Sequence, residues 1–322
     1  MPFATRTARL LIRILISTLV LVIFAMHVSG KPRFEVIDRM ENYLYDVRVR
    51  ATMPGGIDER IVIVDIDEAS QLQLGQWPWA RDTLASIVDI LFDDYRIKTL
   101  GFDVLFAEAG RSGGNEAFAN SFIARDVVTG FVFKDSLSEG EPEFVGALPA
   151  ALIPASDLEN ISVPFIDAAG FTGSLPALQE NAFGGGFFDS PLIDSDGVFR
   201  RAPLVQRYRG DLYPTLALAV VRAATGSPPV GFSFAGSGRS GLELEAFRIG
   251  DREIPVNEQV AVFIPFRGPQ ESFRFISAKD IVNRTADTLN NDERYRPSQF
   301  AAMLAALAEP EPEAEDIDEQ DE

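Results

Sequence analysis

Three aspartates follow two apolar segments of this chain and could act together on a ligand. Asp65 and Asp67 come directly after the apolar run Ile61–Val64, and Asp103 comes directly after Thr99–Phe102. Clustered carboxylates suit a divalent cation such as Mg²⁺ or Ca²⁺. The alternative is structural, because a carboxylate that follows a strand also caps a loop or pairs with a nearby arginine.

Aromatic and basic side chains lie between these two runs. Trp77 and Trp79 flank Pro78 and are the only two tryptophans of the chain, and Arg81 follows them. Trp77 could form an aromatic wall for a ligand, and Arg81 could bind an anionic group. The structural alternatives are that the tryptophans anchor a loop by packing and that Arg81 forms a salt bridge with Asp67.

The candidate ligand-binding residues are Asp65, Asp67, Trp77, Arg81 and Asp103. No catalytic residue, metal site or cofactor is predicted.

One enzyme class remains an alternative. The sequence Asp-Ile-Asp-Glu at residues 65–68 is similar to the first motif of the Mg²⁺-dependent haloacid-dehalogenase-type phosphatases. There the first aspartate attacks phosphate and the second acts as an acid. Such an enzyme would place its nucleophile at Asp65 and its acid at Asp67. It also needs a lysine and a distal acidic pair, which Lys98, Lys134 and Lys279 do not convincingly supply.

The elements that must position these residues follow an α/β pattern. Ile61–Val64 is typical of a strand buried on both faces of a parallel sheet. Asp82 then caps a helix whose apolar residues Leu84, Ile87, Val88, Leu91 and Tyr95 share one face. Thr99–Phe102 is the next strand. A strand–helix–strand crossover makes the two strands parallel, so their terminal aspartates are expected on one sheet edge.

The remaining pattern predicts an α/β fold with a mixed, largely parallel sheet flanked by helices. The further predicted elements are a helix at 115–124, strands at Val127–Phe133, Phe183–Phe188 and Val198–Arg207, a helix at Leu212–Thr225 with Pro214 in its first turn, and antiparallel additions to the sheet within Val230–Phe266. Gly184–Gly186 is interpreted as a turn or strand bend, not a phosphate loop, because its spacing is wrong. Asp194, Asp196 and Gly197 are interpreted as a turn, not a calcium loop.

The amino-acid composition argues against several classes of functional site. The chain has 322 residues and no cysteine, so it has no disulfides and no thiolate chemistry. With His27 as its one histidine, histidine-based catalysis and histidine-ligated zinc are nearly excluded. The net charge is −19, and Glu309–Glu322 supplies nine acidic residues and no basic one. This acidic tail is predicted to be disordered. A chain without a basic face is not expected to bind nucleic acid.

An apolar segment near the N-terminus predicts a membrane anchor. Ile14–Val28 is almost wholly apolar, and Arg6, Arg9 and Arg13 precede it. A cleaved signal peptide is the alternative, because Val28-Ser29-Gly30 fits a cleavage site. The predicted organisation is a cytoplasmic stub and anchor at 1–30, an extracytoplasmic domain at 31–285, and a linker helix with the acidic tail at 286–322.

Several motifs together resemble the second type of CHASE domain, the cyclase- and histidine-kinase-associated extracellular sensor. They occur in the expected order between about residues 43 and 282: YDVRVR (45–50), IVIVDIDEASQLQLGQWPWAR (61–81), GFDVLFAE (101–108), DSDGVFRR (194–201), Tyr213-Pro214 and FRGPQESFRFISAKDIV (266–282).

The resemblance implies a sensory role rather than catalysis. It implies a bacterial protein of the inner membrane, with a single span and the large domain facing the periplasm or the cell exterior. The stimulus, a small molecule or a physical signal, is not evident. The output module and a last core strand are expected after residue 282 but are not seen. Three interpretations remain open: a receptor acting through a separate signalling partner, a binding protein, or a truncated gene product. A helix around Ser298–Leu307 is expected where the missing strand would pack.

Overall fold

The computed structural model describes residues 2–28, 34–159, 161–236, 243–268 and 272–284. The predicted helix at Ser298–Leu307 and the acidic tail lie outside these residues. The described helices are α1 (Pro2–Val28), α2 (Glu35–Thr52), α3 (Glu68–Leu74), α4 (Arg81–Asp89), α5 (Asn115–Asn120), α6 (Pro176–Asn181), α7 (Leu216–Ala224) and α8 (Ala278–Val282), with a π-helical turn at Ile90–Asp94 and a 3₁₀ turn at Ala155–Leu158.

Fourteen strands complete the described part of the chain. They are β1 (Asp58–Asp65), β2 (Thr99–Gly101), β3 (Asp126–Lys134), β4 (Phe144–Val145), β5 (Gly170–Thr172), β6 (Gly184–Phe187), β7 (Arg201–Pro203), β8 (Val205–Tyr208), β9 (Asp211–Pro214), β10 (Val230–Ala235), β11 (Glu243–Ile249), β12 (Arg252–Pro255), β13 (Ala261–Phe263) and β14 (Phe273–Ser277).

The central sheet is mixed and largely parallel, which confirms the predicted fold class. Strand β3 pairs in parallel with β2 and with β6. Its far end pairs antiparallel with β5, which in turn pairs in parallel with β4. Helix α5 connects the parallel strands β2 and β3, and it begins where the sequence predicts a helix, at residue 115.

Helices cover both faces of this sheet. Val127 belongs to the core cluster that contains α4 and α5, whereas its neighbour Val128 packs with Ala219 and Ala223 of α7. This alternation follows from the two-residue period of a strand. Gly186 of β6 lies directly under α7, where a Cβ atom would come within 2.5 Å of the Leu216 backbone. The glycine run therefore permits close approach of a helix, and the residues form a strand.

The prediction that β1 lies beside β2 is wrong. Strand β1 pairs with β14 in a two-stranded sheet, not with β2. Two helices and the tryptophan loop, instead of one crossover helix, separate β1 from β2. The ladder of β1 is completed by a strand more than 200 residues later in the chain, which local periodicity could not reveal.

Three smaller predictions are also corrected. Helix α4 begins at Arg81 after Ala80, so Asp82 lies in the first turn and is not the cap. Residues 211–214 form β9, and α7 begins later because the Thr215 side chain accepts a hydrogen bond from Leu218 N. Strands β10, β11 and β12 are antiparallel as predicted but form their own three-stranded sheet.

Two compact units are recognised along the chain. The described residues within 1–61 and 265–274 form one unit, and those within 62–264 and 275–284 form the other. In the first unit, α1 contains Ala8–His27, 20 residues with a mean hydropathy of 2.4, which is long and apolar enough to cross a membrane. The same unit holds the buried Asp58, which forms ion pairs with Arg60 and Arg267.

Candidate functional site

The Asp67 side chain forms hydrogen bonds at the starts of two helices, α3 and α8. Its Oδ1 accepts hydrogen bonds from Ser70 N at 2.7 Å, which caps α3, and from Ser277 Oγ at 2.8 Å. Ser277 Oγ gives its hydrogen to Asp67, so Ser70 Oγ donates to Ser277 Oγ across 2.8 Å, while Ser70 Oγ accepts from Lys279 N at 3.0 Å. Hydrogen bonds from Ser70 first, and then from Ser277, lower the pKa of Asp67 from its ordinary value. Sequence reasoning missed Ser70 and Ser277.

Asp65 and Asp103 are exposed and do not gather with Asp67 into a metal-binding set. In the part of the chain that the structure describes, only His27, Asp38 and Glu41 bring three ligand atoms of this kind within 4.8 Å of one another. There His27 Nδ1 accepts a hydrogen bond from Phe34 N at 3.1 Å, and its Nε2 lies 3.5 Å from Asp38. This group joins the end of α1 to the start of α2.

The two tryptophans have different roles. Trp79 is buried in the core, and its Nε1 donates to Gly75 O at 2.7 Å. Trp77 is only half-buried and packs edge-on against Trp79, with ring centroids 5.5 Å apart. Trp79 is therefore the packing anchor, and Trp77 leaves part of its indole surface open.

Arg81 is buried, with 7% of its surface exposed. Its guanidinium carbon lies 4.6 Å from the centroid of Phe106 and 5.8 Å from that of Phe118. Its Nη2 donates to Glu108 O at 2.9 Å, and its buried Nε has no hydrogen-bond partner. The predicted salt bridge with Asp67 is not formed, because Asp67 bonds to the two serines instead. Burial lowers the pKa of Arg81 from its ordinary value, yet a guanidinium stays charged in proteins.

A cavity of about 350 Å³ lies beside these residues, between the segments 77–81 and 105–112. Trp77 and Arg81 line it, together with the charged side chains Glu108 and Arg111. Gly110 packs against the Arg81 side chain so closely that a Cβ atom would lie 2.6 Å from Arg81 Cγ. Asp65, Asp67 and Asp103 are not among the residues that line the cavity. The structure thus brings two of the five candidate residues to one concave site.

Comparison with protein families matches residues 17–303 to the CHASE2 domain. The chain belongs to the CHASE2 family. Comparison with curated proteins found no match, and comparison with solved structures found none either. CHASE2 domains are sensory domains found outside the cell, so this chain is a sensory domain by family.

In this CHASE2 domain the Asp67 side chain is engaged by the fold, whereas Asp65 is exposed. A phosphatase keeps both carboxylates available to phosphate and its metal ion. Here one oxygen of Asp67 accepts two hydrogen bonds from within the fold. The arrangement favours a structural role for Asp67, in keeping with a family that senses rather than catalyses.

The Asp-Ser-Asp-Gly segment of the CHASE2 domain is a turn closed by a buried arginine. Arg200 is only 3% exposed and forms ion pairs with Asp194 at 2.9 Å and Asp196 at 2.8 Å. Arg201 is 38% exposed, and its guanidinium carbon lies 4.7 Å from the centroid of Phe263. The predicted turn at Asp194, Asp196 and Gly197 is therefore confirmed. Arg200 is buried, whereas Arg201 is partly exposed to solvent.

Proposed function

We propose that this protein is a single-pass sensor of the bacterial inner membrane. Helix α1 anchors it, and the large domain faces the periplasm or cell exterior. The family match carries the proposal, because it begins at residue 17 and so includes the second half of α1 together with the folded domain. Exposed leucine, isoleucine, valine and phenylalanine side chains along α1 suit a lipid environment.

The stimulus in this proposal is a small molecule bound in the cavity between residues 77–81 and 105–112. The cavity volume lies within the range of small-molecule sites in proteins. Trp77 supplies a flat apolar wall and Arg81 a fixed charge. Binding shifts the population of domain conformations, and a separate signalling partner in the membrane reads that shift.

Reporter fusions test the topology. Alkaline phosphatase fused after Ile281 should be active in a bacterial host, and a reporter that functions only in the cytoplasm should be inactive at the same position. The reverse pattern would contradict the proposal. N-terminal sequencing of the mature protein should begin near Met1, whereas a start near Lys31 would identify a cleaved signal peptide instead of an anchor.

A further inference from the structure

Arg81 is a buried cation without a carboxylate partner. No acidic side chain among the described residues forms an ion pair with it; its contacts are the Glu108 carbonyl and the Phe106 and Phe118 rings. Burying a charge is costly unless that charge is paired. Cation–π contacts of this kind recover only part of that cost. The site therefore keeps a positive potential that no described side chain cancels.

Arg200 is a second buried arginine, one with a structural role, and its ion pairing can be compared with that of Arg81. Arg200 is about as buried as Arg81, yet two carboxylates neutralise it, Asp194 and Asp196. Arg81 differs in lining a cavity, and its Nε has no partner. The contrast within one chain indicates that the missing counter-charge at Arg81 is supplied from outside the fold.

The charges around the cavity favour a ligand with one negative charge. Arg81 is the buried cation, and the exposed Arg111 and Glu108 on the lining carry opposite charges. A phosphate dianion would meet Arg81, Arg111 and Glu108, whose charges sum to a single positive charge, and would be only half neutralised. A carboxylate matches a single guanidinium in charge and shape. The open indole surface of Trp77 provides an apolar wall for the rest of the molecule.

We propose that this cavity binds a small organic monocarboxylate with an apolar or aromatic body, and that Arg81 selects its negative charge. This inference rests on the proposed sensor function and names the class of its ligand. Ligand binding then neutralises Arg81 beside the segment that contains Gly110, which packs directly on the arginine side chain.

Tryptophan fluorescence reads this site without a label, because both tryptophans of the chain line the cavity. The full chain, purified in detergent, is titrated with phenylacetate, hexanoate, their matched amides phenylacetamide and hexanamide, and inorganic phosphate. At least one carboxylate should give a saturable change, with a Kd at least tenfold lower than that of its amide. Tenfold corresponds to about 1.4 kcal/mol. Phosphate should compete poorly.

Three variants assign the effect to the site. Arg81→Met should reduce the preference for carboxylate over amide to about one. Lys98→Met removes a positive charge from an exposed residue outside the cavity lining and should leave the preference unchanged. Ala109→Phe keeps Arg81 and adds a large ring to an exposed residue of the cavity lining, so it should abolish binding of every probe even if Arg81→Met fails to fold.

The outcomes separate the ligand class from the sensor function. Amides that bind as tightly as acids, with binding lost in Ala109→Phe, would overturn the carboxylate class but leave a sensory site. Carboxylate binding that survives Ala109→Phe would overturn the location. No response to any carboxylate up to about 10 mM would overturn the inference. The reporter fusions test the sensor topology independently of all three results.

Discussion

Single residues in this protein show how burial and charge are balanced. Arg200 closes the turn before β7, and its main-chain oxygen also accepts a hydrogen bond from Ile264 N at 2.9 Å. Its two carboxylate partners differ in exposure, 15% for Asp194 and 41% for Asp196. Removing a buried charge that satisfies such partners is among the more damaging changes in a folded protein.

Arg200→Ala should lower the free energy of unfolding by about 2–4 kcal/mol, because the largely buried Asp194 then keeps only its longer contact with Arg201, at 3.7 Å. Arg200→Lys should recover only part of the loss, since an ammonium cannot bind both carboxylates as a planar guanidinium does. Arg201→Ala is the matched control and should cost less than about 1 kcal/mol. Urea denaturation measures all three, and equal losses for the two alanine variants would contradict the assignment.

Asp189 is a second residue whose surroundings shift its protonation. Burial raises the pKa of Asp189 from its ordinary value, and a hydrogen bond from Phe133 N opposes this shift. A raised carboxyl pKa contributes stability that is fully present below the unfolded value near 3.8 and is lost as the pH rises through the folded value. At neutral pH the charged Asp189 therefore costs stability.

The stability of the Asp189→Asn variant against unfolding, relative to that of the native chain, should increase as the pH rises from about 3 toward 7. The amide stays neutral, and its oxygen can still accept from Phe133 N. Thermal unfolding of both proteins over this range provides the comparison. A difference that does not vary with pH would mean that Asp189 titrates normally, and Asp135→Asn tests how much the nearby like charge contributes.

At the scale of elements, the important joint is the one between α3 and α8. Residues that follow β1 and residues that end β14 share one hydrogen-bond chain, from Lys279 N through Ser70 and Ser277 to Asp67. The two strands also pair with each other. The joint therefore ties the segment leading to the tryptophan loop to the last described helix.

Asp67→Ala should lower the melting temperature by about 2–4 °C, the scale of a lost helix cap in a domain of this size. The lowered pKa of Asp67 means that its contribution is present above pH 3.8 and is lost as the pH falls through the folded value. The two proteins should therefore converge in acid.

Ser277→Ala is the control for this joint. It removes one hydrogen bond to Asp67 but leaves the cap on Ser70 N, so its effect should be smaller. The double variant should lose less than the sum of the two single changes, because the residues share one network. Strict additivity would show that the two hydrogen bonds are independent.

At the scale of the whole molecule, the chain joins an apolar helix to a folded α/β domain. Most apolar side chains of α1 between Leu10 and Met26 are exposed, whereas the second unit buries many of its phenylalanines in several core clusters. Transfer of exposed apolar surface out of water is worth roughly 25 cal/mol per Å². This exposed apolar surface supports the proposal that α1 lies in lipid.

Deletion of residues 1–33 should move the protein from the membrane fraction to the soluble fraction. Val20→Arg, which places a charge near the middle of α1, should weaken membrane association without removing the helix. Fractionation and blotting measure both. A deletion variant that still sediments with membranes would show that another part of the chain holds it there.

The sequence by itself determined the elements around the site and the family. Apolar runs and periodic stripes identified β1, α4, β2 and β3, because burial of one face imposes a period on each element locally. The ordered motifs identified the CHASE2 family, which the match over residues 17–303 confirms. The residue types at Trp77 and Arg81 also indicated an aromatic wall and an anion contact, and the ligand contacts themselves remain a proposal.

Only the tertiary structure decided which of these residues meet. Asp65, Asp67 and Asp103 were expected together because β1 was expected beside β2, but β1 pairs with β14. Asp67 bonds to Ser277, 210 positions away, and so leaves Arg81 without its expected partner. Long-range contacts of this kind depend on how separate elements pack, and the local pattern of apolar and polar residues does not encode that choice.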